Sequence, residues 1–325
     1  MNSMNKNDIV VTVLCITYNQ RQYIRFALDG FVQQKTDFSF EVIVHDDAST
    51  DGTTEIIQEY AEKYPDIIIP YYEQENQYSR GTSIFDLLIP RVRGKFIALC
   101  EGDDYWCDPQ KLQKQVDVME NRADVVACVH NAWKFDCISG EKSSYSRKKV
   151  SECLTVDEVV QWGEYGYATA TLMVRREYLR PPKEFKMKSV GDYPRAVFLV
   201  LTGKIFFIAE HMSVYRYCSK GSWTNTQNTD MNLFCENVED MIRMLKNADV
   251  YSKKIYHRIF QEQIQALYYT LSFRLMKKKL PREIYIKYWN SIAFDKKMKI
   301  ILLLYMPALS SVILKMKAWI RKRKS

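Results

Sequence analysis

The stretch Phe96-Ile97-Ala98-Leu99-Cys100-Glu101-Gly102-Asp103-Asp104-Tyr105-Trp106 decides the reading of this chain. A short apolar run of this kind reads as a buried strand, and here it ends in three carboxylates within four residues. Carboxylates that close repel one another, so a fold keeps them where a cation or a phosphate-bound metal neutralises the charge. A second acidic turn, His45-Asp46-Asp47-Ala48-Ser49-Thr50-Asp51-Gly52, follows another apolar run, Phe40-Glu41-Val42-Ile43-Val44. In an open α/β sheet two such strand ends converge on the crevice at the carboxyl edge, where these folds bind ligands. The expectation is a metal-assisted nucleotide site.

Outward from that stretch, strand and helix patterns alternate. Ile9 to Thr17 is rich in Val and Ile and reads as a buried first strand. A helix is expected from about Gln20 to Gln34, with Tyr23, Phe26, Ala27, Phe31 and Val32 on one face. After the strand at 40–45, Asp51-Gly52-Thr53-Thr54-Glu55 opens a helix whose apolar face is Ile56, Ile57, Tyr60 and Ala61. Ile67-Ile68-Ile69 reads as a third strand closed by Pro70, with a helix around 82–91 before the fourth strand at 95–100. Lys111 to Glu120 is helical and 124–130 is strand five. The alternation predicts an α/β, Rossmann-like fold with a mostly parallel sheet flanked by helices.

Beyond residue 135 the pattern loosens. Ile138 to Lys149 reads as a polar, basic loop, Tyr167 to Val174 as another strand, and Leu199–Ile208 with Ser213–Tyr215 as the end of the core. The polar segment Ser219–Asn225 marks a boundary between a domain of residues 1–225 and a helical extension of 226–325. In that extension Phe260, Ile264, Leu267, Tyr268, Leu271 and Leu275 lie at helical spacing.

At 325 residues the chain can bury a full core. Its net charge of +8 hides a division. Residues 251–325 carry 18 Lys and Arg against Glu262, Glu283 and Asp295, whereas residues 1–250 carry 29 basic and 36 acidic side chains. A basic tail on an acidic body points to a partner of its own, anionic lipid or nucleic acid. The apolar run Ile300–Leu309 is interrupted by Pro307 and is shorter than the ~20 residues of a membrane span. Leu309, Val312, Ile313, Met316, Trp319 and Ile320 share one helical face, and Lys315, Lys317, Arg321 and Lys322 take the other. That is the pattern of an anchor on an anionic membrane surface, the alternative being a packed helix with a solvated basic end. Nucleic acid is disfavoured because the basic residues sit beside long apolar runs. Eight scattered cysteines without a Cys-x-x-Cys pair, and no leader pattern at the N-terminus, predict a reduced, cytoplasmic setting. Cys128 and His130, within a strand-like run, read as structural.

The chain has no Gly-x-Gly-x-x-Gly and no Gly-Lys-Ser/Thr loop, so a diphosphate would need a metal to hold its charge. Glu101-Gly102-Asp103-Asp104 offers hard oxygen ligands suited to Mn²⁺ or Mg²⁺. Alternatively it is a solvated acidic turn capping the helix that begins near Asp108-Pro109.

Thr17-Tyr18-Asn19, Asp46 to Thr53 and Glu101 to Asp104, each at a strand end and in this order, resemble the family two inverting glycosyltransferases of bacterial surface-polysaccharide type. The resemblance covers roughly residues 9–220 and implies the GT-A fold. It further implies that Thr17, Tyr18 and Asn19 line a nucleobase pocket and that Asp47 accepts from the base N–H. Asp103 and Asp104, as an Asp-x-Asp-type motif, would share ribose and metal, with Glu101 standing where many relatives have Asp. Arg80 matches a basic position near the diphosphate, or is a solvated arginine. Asp192, in Val190-Gly191-Asp192-Tyr193-Pro194, matches the catalytic base, and its alternative is a helix N-cap. Tyr215-Arg216-Tyr217 resembles the family's Tyr-Arg-x-His segment, with Cys218 in place of His. Trp223 reads as a sugar-stacking or lid residue, or as a pin for its loop.

The implied activity is metal-assisted transfer of a sugar, with inversion, from a nucleoside-diphosphate sugar (a UDP-sugar) to a hydroxyl of a glycan or lipid-linked acceptor. The tail would hold the enzyme on the cytoplasmic face of the membrane. Two rivals differ in class. A sugar nucleotidyltransferase wants a glycine-rich loop that Ile16 to Gln22 lacks. A non-catalytic membrane- or glycan-binding protein would not need acids at 47, 103, 104 and 192.

Overall fold

Val, Ile, Leu and Cys fill the strand Ile9–Thr17 (β1), whose residues Val10 to Cys15 are all buried. Branched side chains suit a pleat that is covered on both faces. The computed structural model describes residues 8–162, 166–188, 191–217, 230–278 and 282–305. They form two compact units, one of residues 1–186 and 190–229 and one of residues 187–189 and 230–325.

In the first unit β1 lies between Ser39–Asp46 (β2) and Phe96–Leu99 (β4), parallel to both, and Ile68–Tyr72 (β3) extends the sheet beyond β2. The crossovers carry the helices Ile24–Val32 (α1), Thr53–Lys63 (α2) and Ile84–Leu88 (α3). Past β4 come the short strand Tyr105–Trp106 (β5), the helix Lys111–Glu120 (α4) and the long strand Val125–Asp136 (β6). Lys142–Ser144 (β7), Glu152–Cys153 (β8), Val156–Trp162 (α5), Met173–Arg175 (β9), Asp192–Thr202 (α6) and Lys204–Tyr217 (β10) complete the unit. The sheet runs β3-β2-β1-β4-β9-β6-β10-β5, with β9 antiparallel between β4 and β6 and with β6 and β10 parallel.

Several local expectations are corrected. Pro70 does not close the third strand but sits inside it, opposite Val44. Among the described residues only β2 pairs with β3, and an edge strand tolerates a residue without an N–H. Ile138–Lys149 is not wholly loop. Asp136 Oδ1 accepts from the Ile138 and Ser139 N–H groups at 2.8 and 3.0 Å, Gly140 takes φ 75°, and β7 folds back antiparallel on β6. Tyr167–Val174 is strand only at its end. The Thr171 hydroxyl donates to the Ala168 carbonyl at 2.7 Å and holds a tight 3₁₀ turn at Thr169–Thr171. In α1 the core face is Ile24, Ala27, Leu28 and Phe31, and Phe26 is exposed. Cys128 and His130 are buried in β6, and His130 Nδ1 lies 2.7 Å from the Asn131 carbonyl oxygen.

Gly94 leads into β4 at the tightest backbone crossing in this part of the sheet. Its N–H donates to the Thr12 hydroxyl at 2.8 Å, and a Cβ there would stand 2.4 Å from the Thr12 nitrogen and 2.7 Å from the Val11 carbonyl carbon. Backbone atoms on both sides leave no side chain to move aside. Gly94→Ala is therefore expected to lower stability by about 3 kcal/mol, the upper part of the overpacking range, in denaturant unfolding. An unchanged midpoint would show that the crossing can open.

The second unit holds Met231–Tyr251 (α7), His257–Lys277 (α8), Arg282–Asn290 (α9) and Phe294–Tyr305 (α10). Asp230 caps α7, accepting from the N–H groups of Asn232 and Leu233 at 2.8 and 3.1 Å. Phe260, Ile264, Leu271 and Leu275 form the buried face of α8. Among the described residues no helix is long and apolar enough to cross a membrane. Val190, Cys218, Trp223 and the basic amphipathic segment 309–324 lie outside the described residues.

Candidate active site

Because β2, β1 and β4 are adjacent and parallel, their carboxyl ends meet. Thr17 pairs with Asp46, the Asp47 N–H donates to the Thr17 carbonyl at 3.0 Å, and the Gly102 N–H donates to the Ile16 carbonyl at 3.0 Å. A Cβ on Gly102 would meet Gln20 Oε1 at 2.4 Å and Thr17 Oγ1 at 2.7 Å. Glycine thus lets the acidic turn lie directly on the Thr17-Tyr18-Asn19 turn.

The first two turns are tied to each other. The Asn19 N–H donates to Ser49 Oγ at 2.8 Å, and Asn19 Oδ1 accepts from the Thr50 N–H at 2.8 Å. Asn19 and Ala48 both take left-handed backbone, at φ 51° and 63°. Asn visits that region readily, but for Ala it costs about 1 kcal/mol, held here by the surrounding hydrogen bonds. Thr17 is buried and its hydroxyl donates to Gln20 Oε1 at 2.8 Å, while Tyr18 is exposed.

Asp47 is buried and already engaged. Its two oxygens accept from the N–H groups of Gln77 and Tyr78 at 2.7 and 3.0 Å, which pins the loop bearing Arg80 to the end of β2. A carboxylate has about four lone-pair sites, so capacity remains for a further donor. Arg80 itself is exposed and paired with Glu75.

At the end of β4, Glu101 is exposed, Asp103 half-buried and Asp104 buried. The pairing of β5 with Ser213–Val214 carries this turn across to β10 and sets Arg216 against it. The Arg216 N–H donates to Asp104 Oδ1 at 2.8 Å, and its guanidinium donates to the Asp103 carbonyl. That guanidinium lies over the rings of Tyr105, Phe26 and Tyr23, 4.6 to 5.0 Å from their centroids. The exposed Phe26 thus belongs to the site rim. Among the described residues Asp104 Oδ2 is buried without a hydrogen-bond partner. Burial, then Asp103 and Glu101, push the Asp104 carboxyl well above its usual range, with Arg216 opposing. Although the Glu101 residue reaches solvent, its carboxyl lies among protein groups, and that loss of solvation, then Asp103 and Asp192, raises it to about 8, with Arg195 opposing.

That field brings in a part of the chain far away in sequence. Asp192 is the first residue of α6, behind Gly191, and makes no cap. Its Oδ2 accepts from the Thr169 hydroxyl at 2.9 Å and its Oδ1 from Arg195 Nη1 at 3.0 Å. The Arg195 side chain is 5% exposed and stacks over Phe85 at 4.7 Å, whereas that of Asp192 is 44% exposed. The arrangement is an oriented carboxylate, open to solvent on one side and supported from within.

Among the described residues no three His, Cys, Asp or Glu side chains gather as a protein-only metal cage. A hard divalent cation carried by phosphates needs only one or two carboxylates and water. Asp104 Oδ2, buried and unpartnered, with Asp103 beside it, fits that requirement.

Sequence reasoning misses Thr169 and Arg195, and it marks Arg216 only as part of the Tyr215-Arg216-Tyr217 segment, without its contact to the acidic turn. Arg195 was findable, since i,i+3 partners on a helix face one another. Thr169 carried no local signal.

The model for "Glycosyl transferase family 2" matches residues 12–181. The chain belongs to this family. The putative teichuronic acid biosynthesis glycosyltransferase TuaG of Bacillus subtilis is 34% identical over 226 residues, 68% of this chain and 85% of that one. An uncharacterized protein of Mycobacterium tuberculosis is 34% identical over 235 residues, 70% of this chain but 64% of its own length. Among solved structures, S. aureus TarS 1-349 in complex with UDP-GlcNAc superposes with TM-score 0.53 at 15% identity, covering 90% of this chain and 89% of that chain. The family 2 domain has the GT-A fold, and its matched span contains Thr17, Tyr18, Asn19, Asp47, Arg80, Asp103 and Asp104 but not Asp192.

Proposed function

We propose that the protein is an inverting glycosyltransferase using a nucleoside-diphosphate sugar, with Asp192 as the base. The observation that carries the reading is the Asp192 carboxylate held by Arg195 and by Thr169, the latter on a turn tied to the end of β4, where the Leu99 N–H donates to the Leu172 carbonyl at 3.0 Å. In this reading Asp192 takes the proton of an acceptor hydroxyl as that oxygen attacks the anomeric carbon, and the bond to the nucleoside diphosphate breaks. Thr169 and Arg195 keep the carboxylate aimed. Asp103 and Asp104 would hold Mn²⁺ or Mg²⁺, which neutralises charge on the departing diphosphate. Thr17, Tyr18, Asn19 and Asp47 would bind the nucleoside, and Arg80 would reach the diphosphate by leaving Glu75.

A UDP-sugar is the proposed donor, in line with the UDP-GlcNAc bound by TarS, and a hydroxyl of a glycan or lipid-linked acceptor is proposed beside it, in line with the teichuronic acid biosynthesis named for the Bacillus relative. The basic C-terminal tail supports a peripheral position on the cytoplasmic membrane face, since its cations and apolar face suit anionic lipid. The test is a thermal-shift panel of UDP, GDP, ADP and CDP with and without Mn²⁺. UDP with Mn²⁺ is expected to raise the melting temperature most, and at a concentration 100 times Kd by about 2.7 kcal/mol of added stability. No shift with any nucleotide would reject the donor reading.

A further inference from the structure

The corner where α7 gives way to α8, the last residues of one helix, the turn and the first residues of the next, is Val250-Tyr251-Ser252-Lys253-Lys254-Ile255-Tyr256-His257-Arg258. Val250 is 68% and Ile255 73% exposed, and the exposed Lys253 and Lys254 stand between them. Single exposed apolar residues are ordinary. The backbone makes this turn different. Lys253 and Lys254 are consecutive left-handed residues, at φ 52° and 62°, a region that glycine or asparagine holds at much less cost. The turn is well tied: the N–H groups of Lys253 and Lys254 donate to the carbonyls of Val250 and Asp249, both at 2.9 Å. A turn that would fold more easily with glycine instead presents two cations.

No acidic residue lies between 250 and 258. The nearest, Asp249, is buried and 2.7 Å from His257 Nδ1, and Glu262 pairs with Arg258. Lys246, one turn back on α7, is also exposed. Two branched apolar side chains flanking an unopposed pair of lysines match the interfacial layer of a bilayer: the apolar tips enter the acyl boundary and the ammonium groups meet lipid phosphates.

We propose that this corner is a contact for an anionic membrane surface. It extends the membrane reading given under Proposed function but uses residues outside the tail on which that reading rests.

The test uses the full-length protein with phosphatidylserine-containing vesicles and with pure phosphatidylcholine vesicles. Amide hydrogen exchange across 250–258 is expected to slow with the anionic vesicles only. Lys253→Gly with Lys254→Gly removes both charges while easing the backbone, so the variant should stay folded. It is expected to weaken vesicle partitioning about 10- to 30-fold, as two cations near an anionic surface should. Ile255→Ser is expected to weaken it further. A full-length Lys315→Glu, Arg321→Glu variant separates the two readings. If the glycine pair partitions as wild type and exchange at the corner is unchanged while the tail variant is released, the corner proposal is overturned and the tail reading survives. If the tail variant still binds and the glycine pair does not, the corner holds alone. Protection of 250–258 that depends on protein concentration without lipid would assign the corner to a second copy and overturn the proposal. Failure of the wild type to bind either vesicle would overturn both readings.

Discussion

Asp192→Asn is expected to lower turnover of the UDP-sugar donor by roughly 10²–10⁴-fold, the usual contribution of a positioned general base. Asn keeps the size of the side chain, and with its amide oxygen toward Arg195 Nη1 and its NH2 toward the Thr169 oxygen, which can accept as well as donate, both contacts are kept and the start of α6 should be undisturbed. What Asn lacks is the ability to take a proton. Donor affinity, measured by calorimetry with UDP and Mn²⁺, should stay near that of the wild type, because the nucleotide would rest on the β1, β2 and β4 turns. A fall in turnover without a fall in affinity marks an interaction made in the transition state. Near-wild-type turnover would move the base elsewhere.

Asp104→Asn should have two effects of opposite sign. Metal-dependent UDP affinity is expected to drop by more than about 10–100-fold, the loss seen even when only an outer partner of a metal ligand is removed. Asn can still accept the Arg216 N–H through its amide oxygen, so the link to β10 survives. In the absence of metal, however, the variant should melt at a higher temperature than wild type at pH 8. The sign follows from linkage. Asp104 is held well above its ordinary pKa, and Glu101 at about 8, chiefly by loss of solvation. Between an unfolded carboxylate pKa of about 4 and those raised values, the native state holds protons that the unfolded chain releases. Stability therefore falls as pH rises through that window, and removing one of the carboxylates relieves the fall. Divalent metal should reverse the order by stabilising only the wild type. Paired melting curves at pH 5 and pH 8, with and without Mn²⁺, read all of this. A destabilised metal-free variant at pH 8, or unchanged UDP affinity with Mn²⁺, would remove Asp104 from the metal site.

Much of the fold was legible because its elements are declared by short-range patterns. The helix at Lys111–Glu120 and the strand ending at Leu99 follow the expected limits closely, since apolar spacing and flanking turns lie within the same few residues. The misses have a common cause. Pro70 was read by its intrinsic chemistry, but its acceptability depends on β3 being an edge, a fact of sheet order. Phe26 was read as core from helical spacing, but its place opposite Arg216 follows from β5 pairing with β10.

The sequence by itself determined that acidic turns close buried strands, that such strands alternate with helices, and that a basic segment ends the chain. Each of these is a property of neighbouring residues. Only the tertiary structure decided which groups share the site. Thr169, Asp192 and Arg195 form one hydrogen-bonded set, and Arg216 holds Asp103 and Asp104 from 112 residues away. Nothing local specifies such meetings. They arise because β9 inserts antiparallel beside β4 and because β10 returns past the end of β5, and strand order is set by burial of the whole sheet. The same holds for charge. Three carboxylates within four residues are visible in the chain, but the depth at which Asp104 lies, and so the upward push on its carboxyl, depends on the elements that cover it.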